Sequence, residues 1–276
     1  MFEAKTLAGY EDIFVIKTCT SFLRRPLMWT FFLLIDNVFL DTGNTNCSKS
    51  QFTRFLEEKV PERNCVILNT HLHEDHCGNN HFIQQKLDAR IYAPKKRANF
   101  DDVTLFFRIY WGTPQKFEHH VLNQQEIETV RGKRLKVIPS PGHTPCHVVY
   151  YLKDQDILFT GDAIPLAVSK KYSMPEEDYL QTISTLERLL NIINSNTTVI
   201  CGHRGILRNP REYIQVRIEN MKNNAQMVTE LWESGLEDIS KLGKTVFGRQ
   251  GILYRLISAR FGLDNTVRSI IPKEDI

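Results

Sequence analysis

The stretch Thr70-His71-Leu72-His73-Glu74-Asp75-His76 decides the reading of this sequence. His71, His73, Asp75 and His76 place four metal-ligand side chains within six residues. Imidazole nitrogen and carboxylate oxygen are donors that zinc takes in tetrahedral or five-coordinate geometry. Two histidines two apart on an extended turn can face one ion, and Asp75 and His76 a second one nearby. A lone histidine is usually an ordinary hydrogen-bonded or surface residue, whereas a cluster this dense marks a site.

Working outward, residues 65–68 form a short apolar run that reads as a buried strand feeding the cluster. Three further segments follow the same grammar. A strand over 133–138 runs into Pro139-Ser140-Pro141-Gly142-His143, one over 156–159 into Thr160-Gly161-Asp162, and one over 197–200 into Cys201-Gly202-His203. Each ligand-type residue sits in a turn at the carboxyl end of a strand, where side chains from several strands converge. Gly142, Gly161 and Gly202 precede them directly and allow unusual backbone angles. Together these residues complete two metal sites.

The remaining sequence fits strands and helices around this frame. Residues 13–17, 28–35 and 37–40 read as strands, with Asp36-Asn37 as a hairpin turn. A helix is expected over 48–59, with Phe52, Phe55 and Leu56 on one face and Pro61 beyond its end. Helices over 79–86 and 175–193 and strands over 90–93 and 147–152 follow. The tail reads as helices over 213–232, 239–246 and 252–261. Residues 95–120 are the least regular, with a helix somewhere in 101–110, a loop at Trp111-Gly112-Thr113-Pro114, and the look of an insertion overhanging a site. This alternation points to an α/β arrangement of two β-layers flanked by helices.

The chain has 276 residues, 42% hydrophobic and 24% charged, enough to bury a core without disulfide staples. Its six cysteines form no CxxC pair, so buried free thiols in a reducing compartment are expected rather than a zinc finger. The net charge of +3 comes from scattered residues and does not call for nucleic acid. The start lacks the character of a signal peptide, and the apolar run 27–35 is too short to span a bilayer. A cytoplasmic location with no membrane partner is the expectation. Trp232, Phe247 and Phe261 in the tail fit either a homodimer surface or internal packing.

The succession HLHEDH, PGHTPCH, FTGD and CGH resembles the metallo-β-lactamase superfamily, and LDTG at 40–43 is similar to its first motif. The resemblance spans about Asp41 to His203. It implies a four-layer αβ/βα sandwich over residues 1–205, a helical C-terminal extension over 206–276, and a dinuclear site between the sheets. It further implies that His71, His73 and His143 bind one metal, that Asp75, His76 and His203 bind the other, and that Asp162 bridges them. Asp41 is implied to be structural. The ions implied are two divalent metals, zinc foremost, with iron or manganese compatible.

The full ligand set resembles the glyoxalase II and lactonase-like branch. That branch implies a metal-bridging hydroxide acting on a carbonyl ester, thioester or lactone of a small molecule, with Asp75 also handling a proton. The alternative is a phosphodiester-cleaving nuclease of the same superfamily. The span from Asp162 to His203 leaves no room for the large extra domain of the nucleic-acid-processing branch, so nucleic acid is not favoured. Cys146 stands where that branch has glycine. His147 is expected beside the ligands rather than among them, and Glu74 facing solvent. Arg204 reads equally as a substrate-binding cation or a surface residue. His119 and His120 are expected at the surface, and Tyr172 as packing more than as a hydrogen-bond donor to substrate.

Overall fold

The computed structural model describes residues 1–22, 25–60, 64–94, 105–251 and 260–271. Its residues fall into two compact units. One comprises Met1–Pro139, Val148–Asp162 and Thr197–Leu207; the other comprises Ser140–His147, Ala163–Asn196 and the chain from Arg208 onward.

The first unit contains both sheets. Strands β1 (Phe2–Thr6), β2 (Ile13–Phe22), β3 (Arg25–Ile35), β4 (Val38–Leu40), β5 (Val66–Leu68), β6 (Arg90–Ala93) and β7 (His120–Val121) lie side by side in chain order. The second sheet has the order β13-β12-β11-β10-β9-β8, built from β8 (Glu126–Glu128), β9 (Arg134–Pro139), β10 (Val148–Leu152), β11 (Ile157–Phe159), β12 (Thr198–Cys201) and β13 (Gly205–Ile206). Both sheets are mixed. β4, β5 and β6 run parallel in one, as do β11 and β12 in the other, while the remaining strands of the second sheet pair antiparallel.

Period-two alternation explains how these strands are buried on both faces. Along β3, Leu33 and Ile35 join Val137, Tyr150, Phe159 and Ile200 in the core between the sheets. Phe32 and Leu34 point the other way, into a core with Phe52, Leu56 and Ile83. Those three side chains come from helices α1 (Lys49–Lys59) and α2 (Asn80–Leu87). In α1 the buried positions Phe52, Phe55 and Leu56 have the three- and four-residue spacing that defines one helix face. A third helix, α3 (Leu105–Trp111), stands inside the irregular insertion and ends one residue before Gly112. The loop expected to begin at Trp111 therefore begins at Gly112. Strand β1 was not anticipated, because its polar Glu3, Lys5 and Thr6 leave a weak apolar pattern; it pairs antiparallel with β2.

The second unit is helical. It holds α4 (Tyr179–Ile192), α5 (Pro210–Glu233), α6 (Ile239–Phe247) and α7 (Leu263–Arg268). Asp178 caps α4 by accepting from the Gln181 N–H, and Asp238 caps α6 through the Lys241 N–H. Phe247 is buried, with its ring edge-on to Tyr179, so this part of the tail packs internally. The helix expected over 252–261 lies outside the described residues except for its last two positions, as do Pro61, Lys95, Lys96 and Arg97. No described helix is long and apolar enough to cross a membrane.

Candidate metal centre

Parallel pairing sets the site. Leu40 and Leu68 are register partners at the ends of β4 and β5, so Asp41 and the segment from Asn69 to His76 leave the first sheet at the same edge. Phe159 and Ile200 are partners in β11 and β12, so the turns carrying Asp162 and His203 leave the second sheet together. Six of the expected ligands, His71, His73, Asp75, His76, Asp162 and His203, are brought together in the first unit. Within it, the ligand atoms of His71, His76 and Asp162 lie within 4.8 Å of one another, as do those of Asp75, His76 and His203.

The histidines are oriented from behind. Asp41, fully buried and in the left-handed region at φ 62°, accepts from the Thr70 N–H at 2.8 Å through Oδ1. Its Oδ2 accepts from the Thr70 hydroxyl at 2.8 Å and from His76 Nδ1 at 2.8 Å. Since the Thr70 hydroxyl gives its one proton to Asp41, it accepts from His71 Nδ1 at 2.9 Å. His203 Nδ1 donates to the Trp29 carbonyl at 3.0 Å. In all three rings Nδ1 carries a proton held by the protein, so Nε2 is the nitrogen turned toward an ion, the orientation a metal ligand needs.

Those Nε2 atoms face the carboxylates. His76 Nε2 is 3.3 Å from Asp162 Oδ1, and His203 Nε2 is 3.2 Å from both Asp162 Oδ2 and Asp75 Oδ2. Asp162 thus presents one oxygen to each of two histidines. His71 Nε2 and His73 Nδ1 are 3.0 Å apart. These spacings approach the roughly 3.3 Å edge of a tetrahedron with zinc–nitrogen bonds of about 2.0–2.1 Å. His76 Nε2 is buried yet makes no hydrogen bond. An ion fits that donor set, because it would give this buried nitrogen the partner that no protein group supplies.

The charges agree. Burial would raise the Asp162 pKa, but His203 and His76 hold it well below the ordinary carboxylate value. Asp75 is likewise lowered against its burial, by His76 and then His203. Burial lowers the His203 pKa, and Asp162 and Asp75 outweigh it, raising it to about 10. Gly202 makes the close approach feasible: a Cβ there would lie 2.4 Å from Asp162 Oδ1 and 2.7 Å from His76 Cε1. Its role is this lack of a side chain, since only Gly142 and Gly161 of the three glycines have positive φ, at 139° and 47°.

His143 lies in the second unit. Its Nδ1 donates to Glu177 Oε1 at 2.6 Å, while Lys170 Nζ and the Met174 N–H donate to Glu177 Oε2 at 2.7 and 3.1 Å. Burial would raise the Glu177 pKa, yet Lys170 and His143 bring it down to about 2. Glu177 was not singled out from sequence, where nothing distinguishes it from its neighbour Glu176. Nor was Trp111, whose ring stacks on His203 at 5.7 Å.

Other expectations resolve individually. Glu74 is buried rather than solvent-facing, beside the Cys77 thiol, whose pKa burial raises and Glu74 raises further. Arg204 is exposed and His147 is buried. His120 is exposed in β7 with its ring against Tyr92, and His119 is half-buried against Phe117. The Tyr172 hydroxyl accepts from the Gly251 N–H at 3.4 Å and its ring packs on Phe261. All six cysteines are free; Cys47 and Cys146 are half-buried and the others buried.

Solved structures share this fold. A beta-lactamase domain protein from Burkholderia ambifaria superposes with a TM-score of 0.69, covering 96% of this chain and 87% of that one at 13% identity. A metallo-beta-lactamase family protein from Thermus thermophilus gives 0.63 over 88% and 89% at 20% identity. Among sequence relatives, a hydroxyacylglutathione hydrolase of Pelagibacter ubique is 25% identical over 67% of this chain and 71% of its own length. An atrochrysone carboxyl ACP thioesterase of Aspergillus fumigatus is 23% identical over 82% and 65%. A probable metallo-hydrolase of Methanocaldococcus jannaschii is 29% identical over 51% and 58%, so the chain spans less than two thirds of the length of some of its curated relatives. The sequence model of the metallo-beta-lactamase superfamily matches residues 40–203, from the LDTG turn to the last histidine of the cluster, and this chain belongs to that superfamily.

Proposed function

We propose that this chain is a dinuclear metal-dependent hydrolase of small-molecule thioesters, with carbonyl esters and lactones as related substrates. One observation carries the reading: the Nε2 atoms of His76 and His203 face the two oxygens of one carboxylate, Asp162. His71, His73 and His143 would hold one ion, Asp75, His76 and His203 the other, with Asp162 shared. Zinc suits these donors best, and iron or manganese would also be accepted. When bound, such ions supply Lewis acidity and an activated water. The residues around them do the positioning. Thr70, Asp41 and the Trp29 carbonyl fix three of the five rings, and Glu177 fixes a fourth. Asp75, kept ionised by His76 and His203, can accept a proton at its carboxylate oxygen. The thioester class is supported by the names of the Pelagibacter and Aspergillus relatives.

Elemental analysis of the purified protein, paired with a panel of acyl-glutathione thioesters, lactones, β-lactams and bis(p-nitrophenyl) phosphate, tests this. About two ions per chain with thioester turnover is the expected result. Phosphodiester turnover alone, or a protein that takes up no metal, overturns it.

A further inference from the structure

Outside the metal centre, a thiol and an amine converge on one oxygen. Cys47 Sγ donates to Asn79 Oδ1 at 3.6 Å, and Lys49 Nζ donates to the same atom. Asn79 is buried and fixed, its Nδ2 donating to the Thr42 carbonyl at 2.6 Å and the Asn44 carbonyl at 2.9 Å. The lysine stem is further held with Nζ 4.8 Å from the centre of the Phe82 ring. Both reactive side chains are half-buried, so each remains open to a small reagent. Their loop also adjoins the candidate centre: Thr45 N–H donates to the Trp111 carbonyl at 3.1 Å, and the Trp111 ring stacks on His203.

We propose that Cys47 and Lys49 form an acyl-acceptor pair, a modification site that takes the acyl group of a thioester. In the first step the Cys47 thiolate attacks the thioester carbonyl. A new carbon–sulfur bond forms to Cys47, the original carbon–sulfur bond breaks, and the donor leaves as its thiolate. In the second step the neutral Lys49 amine attacks that same carbonyl, the Cys47 carbon–sulfur bond breaks, and an amide forms. Cys47 returns as thiolate and the amine's proton passes to solvent, so no oxidant or reductant is consumed. Asn79 Oδ1 keeps the two nucleophiles adjacent, which makes the second step intramolecular.

Burial favours the second step and holds back the first. Burial lowers the Lys49 pKa, which enlarges its reactive free-amine fraction, and charge on Cys47 offsets part of that fall. Burial raises the Cys47 thiol, and the Lys49 charge offsets part of that rise. The modification is therefore expected to quicken as pH rises.

The thioester class rests on the function proposed above, but the chemistry does not need the metal centre. The test incubates the whole protein with S-acetylglutathione and maps acetyl groups by peptide mass spectrometry, in the unaltered chain and in Cys47→Ser, Lys49→Arg and His73→Ala. Lys49 is expected to be the most heavily acetylated lysine, and Cys47→Ser to slow that by roughly tenfold or more, as a hydroxyl is a far weaker nucleophile than a thiol. Lys49→Arg should trap a hydroxylamine-sensitive acetyl on Cys47. His73→Ala should leave the modification in place, so loss of hydrolysis and loss of acyl transfer are read separately. Equal Lys49 acetylation with and without the Cys47 thiol, or no preference for Lys49 over exposed lysines, overturns the proposal.

Discussion

The indole of Trp111 lies stacked on the imidazole of His203, with ring centres 5.7 Å apart and planes inclined by 27°. His203 is thus held on two sides, by the Trp29 carbonyl at Nδ1 and by a buried aromatic face. The stack also gives a probe. Cobalt(II) bound at His203 should quench Trp111 fluorescence, and Trp111→Phe should remove most of that quench while still binding the ion. Trp111→Ala, which frees the ring, should weaken metal binding by about tenfold, the lower end of what loss of a supporting contact costs. A quench unchanged in Trp111→Phe would place the ion elsewhere.

Gly202 tests the close approach of the second sheet's turn. A methyl at this position must displace the Asp162 carboxylate or the His76 ring, since it would lie 2.4 and 2.7 Å from their atoms. Gly202→Ala should cost about 1–3 kcal/mol of stability, as overpacking does. Its larger effect should be on metal occupancy, read by elemental analysis after dialysis. Full occupancy with an unchanged melting temperature would mean that the turn is looser than described.

Much of this was legible in the sequence, and the exceptions have physical reasons. The candidate ligand residues stand out because donor chemistry needs particular side chains at turns, and the buried strands because β3 and β4 are apolar on both faces. The residues behind the ligands did not. Thr70 acts by relaying a hydrogen bond between Asp41 and His71, the kind of role a threonine anywhere could have. Trp29 contributes only its carbonyl, which any residue would supply. Glu74 was misjudged because a charged residue between ligands looks solvated, yet it is buried. Trp111 ends a short helix in a segment whose aromatic residues give no clear period, so neither the helix end nor the stack could be read beforehand.

Metal uptake should release protons. Burial lowers the His203 pKa but Asp162 and Asp75 raise it to about 10, so at pH 7–8 the ring of the metal-free protein is protonated. An ion requires the neutral ring, and its binding must expel that proton. The sign follows: affinity rises with pH throughout the neutral range. Titration calorimetry with zinc in two buffers of different ionisation enthalpy should show net proton release. Replacing His203 with Asn should reduce that release along with the affinity. Identical heats in the two buffers would sink the assignment of His203 as a ligand.

Glu177 makes the last prediction, and it concerns stability rather than the ion. Its carboxylate is buried and held at about 2, against an ordinary value of 4.5, because Lys170 and His143 outweigh its burial. A carboxylate lowered in the folded state binds its proton more readily when unfolded, so its contribution is complete above about pH 4.5 and fades as pH falls toward 2. The shift corresponds to roughly 3 kcal/mol at neutral pH. Glu177→Gln keeps the shape but leaves Lys170 without its anionic partner. In urea unfolding of the metal-free protein at pH 7 the variant should be less stable by about that amount, and the gap should narrow as pH drops below about 4.5. A gap that stays constant down to the acid transition would mean that packing, not the charge on Glu177, holds His143 in place.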